Sequence, residues 1–266
     1  MLTYRDLSAE LRRLDLPPAA PVLVHALPSS FDGFKGGVDT LLGGLLSTFS
    51  TVLMPAFTFR TLLIPETGPA ENALPYGSGR EANQVADFFR PSLPVDPGLG
   101  LLPERLRRIP QASRSSHPIL SFSGVNAADF LAAQTLEDPL ALVGALAQAG
   151  GWVMLIGVDQ TANVSLHWAE RLAGRRQFVR WALTPGRILE CPRFPGCPDG
   201  FPALESHLEG IRRPGRLGPF LLWAYPLADL LEITRHLLDQ EPADLLCSRS
   251  DCERCAVVRR SIYSLS

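Results

Sequence analysis

Pro21-Val-Leu-Val-His25, a glycine-rich loop over residues 26–37, a helical segment over 38–49, and Thr51-Val-Leu-Met-Pro-Ala-Phe57 follow one another in the chain. The two apolar runs are short and continuous, which is the character of strands buried on both faces. Strand, loop, helix, strand is the order of a parallel crossover unit. The reading of this one stretch sets the chain in the α/β class.

The same alternation continues outward. Upstream, residues 4–14 have helical spacing of Leu7, Leu11 and Leu14, with Thr3 as N-cap. Downstream, residues 101–108 form a short helix and 119–125 a strand. Asp138-Pro139 opens a helix that stops at Gly150-Gly151, because Pro suits a first helical position and glycine ends one. Residues 152–158 are the clearest buried strand, and 162–173 the helix after it. Strands at 178–183 and 217–223 and an amphipathic helix at 228–238 complete the reading. Residues 60–97 are rich in Pro and Gly with weak periodicity, an irregular excursion from the core. No repeat or low-complexity linker divides the chain, so residues 1–266 read as a single domain, with a cysteine-containing tail at 240–266.

Composition excludes several classes. Of 266 residues, 46% are hydrophobic and 20% charged, which argues against wholesale disorder. A net charge of −2 gives no basic face for nucleic acid. No apolar run reaches the roughly 18 residues of a spanning helix, so no membrane partner is expected. The N-terminus is charged and amphipathic, without the apolar core of a secretion signal. The five cysteines are odd in number and confined to the last third. They read as reduced thiols of a cytoplasmic protein.

Four segments could carry chemistry. The first is the loop His25-Ala-Leu-Pro-Ser29-Ser30-Phe-Asp-Gly33-Phe-Lys35-Gly36-Gly37. Glycines allow close backbone approach, the next helix offers unpaired N–H groups, and Lys35, the sole lysine, can meet a phosphate. It is neither a Walker loop nor a dinucleotide fingerprint, and a tight turn also explains its glycines. The second is Asp159-Gln-Thr-Ala-Asn163-Val-Ser-Leu-His167-Trp-Ala-Glu170, beyond a strand end. His167 and Glu170 share one side of a helix, the arrangement of a general base with its carboxylate. A surface ion pair or a satisfied core histidine is the more ordinary reading of that pair alone. Asp159 or Glu170 could be the partner of His167. The third is Glu104, followed by Arg114-Ser115-Ser-His117-Pro118, where Arg114 could hold a carboxylate or phosphate. The fourth is Cys247, Cys252 and Cys255, three soft ligands that Cys191, Cys197 or His236 could complete as a structural zinc site. Buried or incidental thiols are the plainer reading, since only one C-x-x-C is present.

In order along the chain, these segments resemble the aminoglycoside 3-N-acetyltransferase family. Its V-x-V-H, serine-rich loop to Gly-Gly, and M-P-x-F-T are matched at 22–25, 29–37 and Met54-Pro-Ala-Phe-Thr58. Its G-x-x-x-E and R-S-x-H-P-x-x-S-F are matched at Gly100-Leu-Leu-Pro-Glu104 and Arg114-Ser-Ser-His-Pro-Ile-Leu-Ser-Phe122. Asp138-Pro-Leu140, Leu155-Ile-Gly-Val158, residues 163–170 and Gly196-Cys-Pro-Asp-Gly-Phe201 match the rest.

The resemblance implies a three-layer α/β/α sandwich with a central, mostly parallel or mixed sheet. It implies an acetyltransferase that uses acetyl-coenzyme A on an amino group of an aminoglycoside. His167 would be the general base of direct transfer and Glu170 its orienting partner. His25, Ser29, Ser30, Gly33, Lys35, Gly36 and Gly37 would bind the coenzyme, with Ser115 and His117 near the thioester. Glu104, Asp159 and Asn163 would face the acceptor. The chain departs from the family at Ala26-Leu27 and Leu93-Pro-Val95, and its 27 acids against 25 bases give little electrostatic capture of a polycation. The same chemistry on a different biosynthetic amine, or a coenzyme- or zinc-binding scaffold without catalysis, are the competing readings. The oligomeric state stays open, a homodimer among the options.

Overall fold

The computed structural model of the chain describes residues 2–27 and 33–263. In chain order it holds α1 (Tyr4–Arg13), β1 (Val22–Ala26), α2 (Gly37–Thr48), β2 (Val52–Pro55), β3 (Leu62–Leu63), α3 (Arg80–Gln84), α4 (Leu101–Arg108), β4 (Ala112–Arg114) and β5 (Phe122–Val125). There follow α5 (Ala128–Ala132), α6 (Ala141–Gln148), β6 (Trp152–Ile156), α7 (Leu166–Leu172), β7 (Phe178–Thr184), β8 (Arg187–Phe194), β9 (Arg213–Leu217), β10 (Phe220–Pro226), α8 (Leu227–Gln240) and α9 (Glu253–Tyr263).

Seven strands form the central sheet in the order β4-β5-β2-β1-β6-β10-β9. Its middle is parallel, with Val22 opposite Val52 on one side and Trp152 on the other. The flanking pairs are antiparallel, so the sheet is mixed. Successive side chains of a strand face opposite ways, and the core divides accordingly. Val22, Val24, Met54, Met154 and Ile156 pack with the leucines of α1, α2 and α4. Leu23, Leu53, Val153, Leu155 and Tyr225 pack against α6, α7 and α8. Helices on both faces of the sheet make the three layers.

Local chemistry explains the elements. Thr3 caps α1 reciprocally with Asp6, and Leu7, Leu11 and Leu14 are all buried. Gly44 weakens α2 intrinsically, but a Cβ there would meet Leu7 Cδ2 at 2.4 Å. The glycine is what lets α1 lie close against α2. The expected strand at 217–223 holds the start of β10 but also contains the turn of a hairpin: Gly218, at φ +61°, joins β9 to β10. An apolar run on both sides of the turn hid it. The excursion at 60–97 contributes β3 to a second, antiparallel sheet, β3-β7-β8. The cysteine tail carries a further helix, α9, which buries Val257 and Val258 in the large core. Among the described residues no helix is long and apolar enough to cross a membrane.

Candidate active site

In an open α/β sheet, ligands gather beyond the carboxyl ends of the parallel strands, where the connections diverge to either side. Here β1 is that strand, with β2 on one flank and β6 on the other. A cavity of about 360 Å³ opens at this position. His25 from β1, Pro55 at the end of β2 and Phe57 beyond it, and Val158 and Thr161 after β6 line it, and His167 projects into it from α7. Leu102 and Pro103 of α4 and the Pro195-Gly196 segment supply other walls. The size is that of a small-ligand site.

The start of α7 is fixed by a buried amide relay. Asn163 Oδ1 accepts from Ser165 N–H at 3.2 Å and Ser165 Oγ at 2.5 Å. Asn163 Nδ2 donates to Gln160 Oε1 at 2.8 Å, and Gln160 Nε2 donates to Glu205 at 3.0 Å. Asn163 is 1% exposed, so its amide sets the helix rather than facing the cavity.

The end of α7 is fixed by its C-cap. Gly174 takes φ +72°, its N–H reaches Arg171 O, and Arg175 N–H returns to Glu170 O at 2.9 Å. That is the Schellman arrangement, and it needs a residue free to adopt positive φ. It folds Arg175 back beside the side chain of Glu170. Arg175 Nη1 donates to Glu170 Oε1 at 2.8 Å, and Glu170 Oε2 meets His167 Nδ1 at 2.5 Å. Arg175 is held in turn by Pro242 O at 2.7 Å and Asp244 O at 2.5 Å.

All three side chains of this His167–Glu170–Arg175 relay are about 5% exposed. Burial alone would raise the Glu170 carboxyl, but the charges and hydrogen bonds of His167 and Arg175 outweigh it and bring it below its usual value. An ionised carboxylate only accepts hydrogen bonds. Nδ1 therefore carries the proton, and Nε2 keeps the lone pair. The Phe201 ring lies 4.8 Å from the imidazole, centroid to centroid, and fixes its tilt.

The remaining expected residues are placed as follows. His25 lies in the cavity wall with Nε2 unpartnered, and burial pushes its pKa down to about 3. His117 Nδ1 accepts from the N–H groups of Ile119 and Leu120, and burial brings its pKa to about 4. Ser115 ties β4 to β5 through Phe122 N–H at 2.8 Å. Neither Ser115 nor His117 lines the cavity. Ser29 and Ser30 lie outside the described residues. Gly33 and exposed Lys35 precede Gly36 and Gly37, whose φ values of +94° and +60° turn the chain into α2. Asp159 caps its own turn at Thr161 N–H, 2.9 Å, which leaves Glu170 as the partner of His167. Glu104 accepts from Arg107, Arg108 and Val95 N–H. Arg114 donates to Ala56 O at 2.7 Å and Pro91 O at 3.1 Å, anchoring the excursion to the end of β2.

Arg175 was not among the expected residues, although a glycine two residues after a helical Leu172 is a readable signal for such a return. Arg254, in the cavity wall, also escaped notice; it lies 84 residues beyond Glu170, on α9. The expected cysteines Cys247, Cys252 and Cys255 do come together, and Cys197 joins them, with all four sulfurs within 4.8 Å of one another. Cys191 lies apart, in the large core.

A mixed α/β sheet with a buried histidine–carboxylate–arginine relay and a cavity at its parallel-strand ends has the frame of an α/β enzyme. More narrowly, the chain belongs to the aminoglycoside 3-N-acetyltransferase family, whose model matches residues 23–239. That family's members are acyltransferases. An aminoglycoside N(3)-acetyltransferase III of Serratia marcescens is 26% identical, covering 90% of this chain and 98% of its own. The fold is that of the aminoglycoside acetyltransferase AAC(3)-IVa apoenzyme, with a TM-score of 0.79 at 22% identity over 97% of both chains. It is also that of AAC-IIIb in binary complex with CoASH, with a TM-score of 0.70 at 24% identity over 90% of this chain and 97% of the other.

Proposed function

We propose that the protein transfers the acetyl group of acetyl-coenzyme A directly to an amine, the 3-amino group of a 2-deoxystreptamine aminoglycoside, with His167 as general base. The observation that carries the reading is the His167–Glu170–Arg175 relay opening on the cavity. Family membership supports the acyl chemistry and the acceptor, and the CoASH complex of AAC-IIIb supports the coenzyme.

An alkyl amine near neutral pH is mostly ammonium, and only the neutral nitrogen attacks. Nε2 of His167 takes the proton as the nitrogen adds to the thioester carbonyl. The N–C bond forms, the C–S bond breaks, and the departing thiolate recovers a proton from the imidazolium. Glu170 stabilises that imidazolium and Arg175 keeps Glu170 ionised. Such a base contributes roughly 10²–10⁴-fold. Asn163 acts by positioning α7. The segment Gly33, Lys35, Gly36 and Gly37 receives the pyrophosphate at the start of α2, with His25 in the cavity wall and Ser115 and His117 bracing the connection of β4 to β5. Glu104 and Asp159 flank the acceptor side, next to the lining residues Pro103 and Thr161. The reaction belongs in the cytoplasm, where acetyl-coenzyme A and reduced thiols are found.

One observation favours a second reading of the acceptor. Among the described residues the cavity lining contains no carboxylate and one guanidinium, Arg254. Glu104 is already bonded to two arginines. A monoamine fits this lining more readily than a polycation. Mass spectrometry of products from acetyl-coenzyme A with a panel of aminoglycosides and neutral monoamino sugars tests both readings. One added acetyl group on an aminoglycoside supports the first, and acetylation of monoamines alone supports the second. No product from any amine, in folded protein, overturns both.

A further inference from the structure

Four of the five cysteines are gathered in one place. Cys197 lies in the turn after β8, Cys247 and Cys252 in the segment between α8 and α9, and Cys255 in the first turn of α9. All four are buried, at 6% exposure or less, and their sulfurs lie within 4.8 Å of one another. A thiol is a poor hydrogen-bonding group, and an ordinary buried cysteine fills space in an apolar core. Cys191 does this, packed in the large core. The other four form a cluster of their own, against which Leu246 is the hydrophobic side chain that packs among the described residues.

Their approach is built into the backbone. A Cβ at Gly200 would meet Leu245 O at 2.3 Å and the Leu246 carbonyl carbon at 2.7 Å. Only glycine lets the turn carrying Cys197 lie on the segment carrying Cys247, some fifty residues further along the chain. Guanidinium groups surround the cluster. Arg254 donates to Gly196 O at 2.8 Å, Arg259 donates to Cys247 O, and Arg249 pairs with Asp199 at 3.1 Å.

We propose that Cys197, Cys247, Cys252 and Cys255 bind one Zn²⁺ in a tetrahedral tetrathiolate site that fastens a wall of the active-site cavity to α9. A zinc–sulfur bond of about 2.3 Å places tetrahedral sulfurs about 3.8 Å apart. The cluster therefore needs a contraction of no more than about 1 Å. Binding exchanges four thiol protons for the metal, giving a centre of charge 2− and four released protons. The arginines offset that charge. Soft sulfur in tetrahedral array selects zinc over magnesium or calcium.

The site reaches the cavity through Gly196 and Pro198, the neighbours of Cys197, and through Arg254 between Cys252 and Cys255; all three line the cavity. A Cβ at Gly196 would sit 3.9 Å from Glu170 Oε2, so the metal-held turn is also the lid over the relay carboxylate. The metal proposal does not depend on the acetyl-transfer reading, because metal content is measured without substrate.

Elemental analysis of the full chain, purified without chelators, tests it. The expected result is about one zinc per chain, falling below one tenth in Cys252→Ser, and unchanged in Cys191→Ala. Cobalt substituted into the wild-type chain should show thiolate-to-metal charge transfer and tetrahedral ligand-field bands, a readout that survives even if Cys252→Ser fails to fold. Less than a tenth of an equivalent of zinc in wild type, iron in its place, a disulfide among the four, or zinc retained in Cys252→Ser would each overturn the proposal.

Discussion

Glu104 on α4 and Glu170 on α7 carry the same equipment and do different things with it. Each is a helical glutamate with an arginine close by in sequence, and each holds two cationic or potentially cationic partners. Glu104 is bonded by Arg107 and Arg108, and the Arg108 side chain is 58% exposed. Burial would raise the Glu104 carboxyl, but hydrogen bonds from Arg107, Val95 N–H and Arg108 bring it to about 2. Its acceptor capacity is used up beside the cavity. Glu170 has one arginine and one histidine, all buried, and the histidine's second nitrogen remains for chemistry. Under the proposed mechanism, the difference is that burial and the identity of one partner turn an ion pair into a base.

The largest separation between the two sites is expected from neutralising each glutamate. Glu170→Gln presents an amide to Nδ1 and removes the charge that supports the imidazolium. Turnover should fall by about 10²-fold or more, by analogy with removal of the carboxylate in a catalytic triad. Glu104→Gln should leave turnover within a few-fold. Steady-state rates for the two variants decide it; equal losses would erase the distinction.

Removing the arginines comes next. Arg175→Met leaves a buried carboxylate with half its support, and such broken buried pairs cost about 3–5 kcal/mol. Arg107→Met leaves Glu104 with Arg108 and Val95 N–H at a partly exposed site and should cost less, about 1 kcal/mol. Denaturant unfolding measures both, and a larger loss for Arg107→Met would contradict the ranking.

A third contrast is the response to acid. His25 and His117 have folded pKa values lowered by burial to about 3 and 4. The unfolded chain protonates them near 6.5 while the folded one does not. Their contribution is complete above pH 6.5 and declines as pH falls toward 4 and 3, at about 1 kcal/mol per pH unit for each histidine. Glu104, lowered from 4.5 to about 2, loses its contribution only below pH 4.5. Unfolding midpoints between pH 7 and 5 should therefore decline through the histidines, and His117→Asn should flatten the curve. A flat curve for the native chain would contradict the burial argument.

Much of this frame was readable from residues. Continuous apolar runs at 21–25, 51–57 and 152–158 gave the parallel centre, because strands buried on both faces need no alternation. The spacing of His167 and Glu170 put them on one side of a helix, and the structure has them 2.5 Å apart. The hairpin of β9 and β10 escaped because its turn glycine sits inside an apolar run. Arg175 escaped because helical periodicity ends at Leu172, and only the cap geometry returns the chain to Glu170. Cys197 joins the other three cysteines through tertiary approach at Gly200, which no local spacing records. Glu104, Asp159 and Asn163, which the family resemblance sets facing the acceptor, have side chains that also bond within the protein.

The central claim is that His167 moves the acceptor proton. Single-turnover acetyl transfer by His167→Ala, with coenzyme A affinity measured on the same protein, tests it most directly. The account predicts a rate reduced by about 10²–10⁴-fold with coenzyme affinity within a few-fold of wild type. Transfer at more than half the wild-type rate would contradict it.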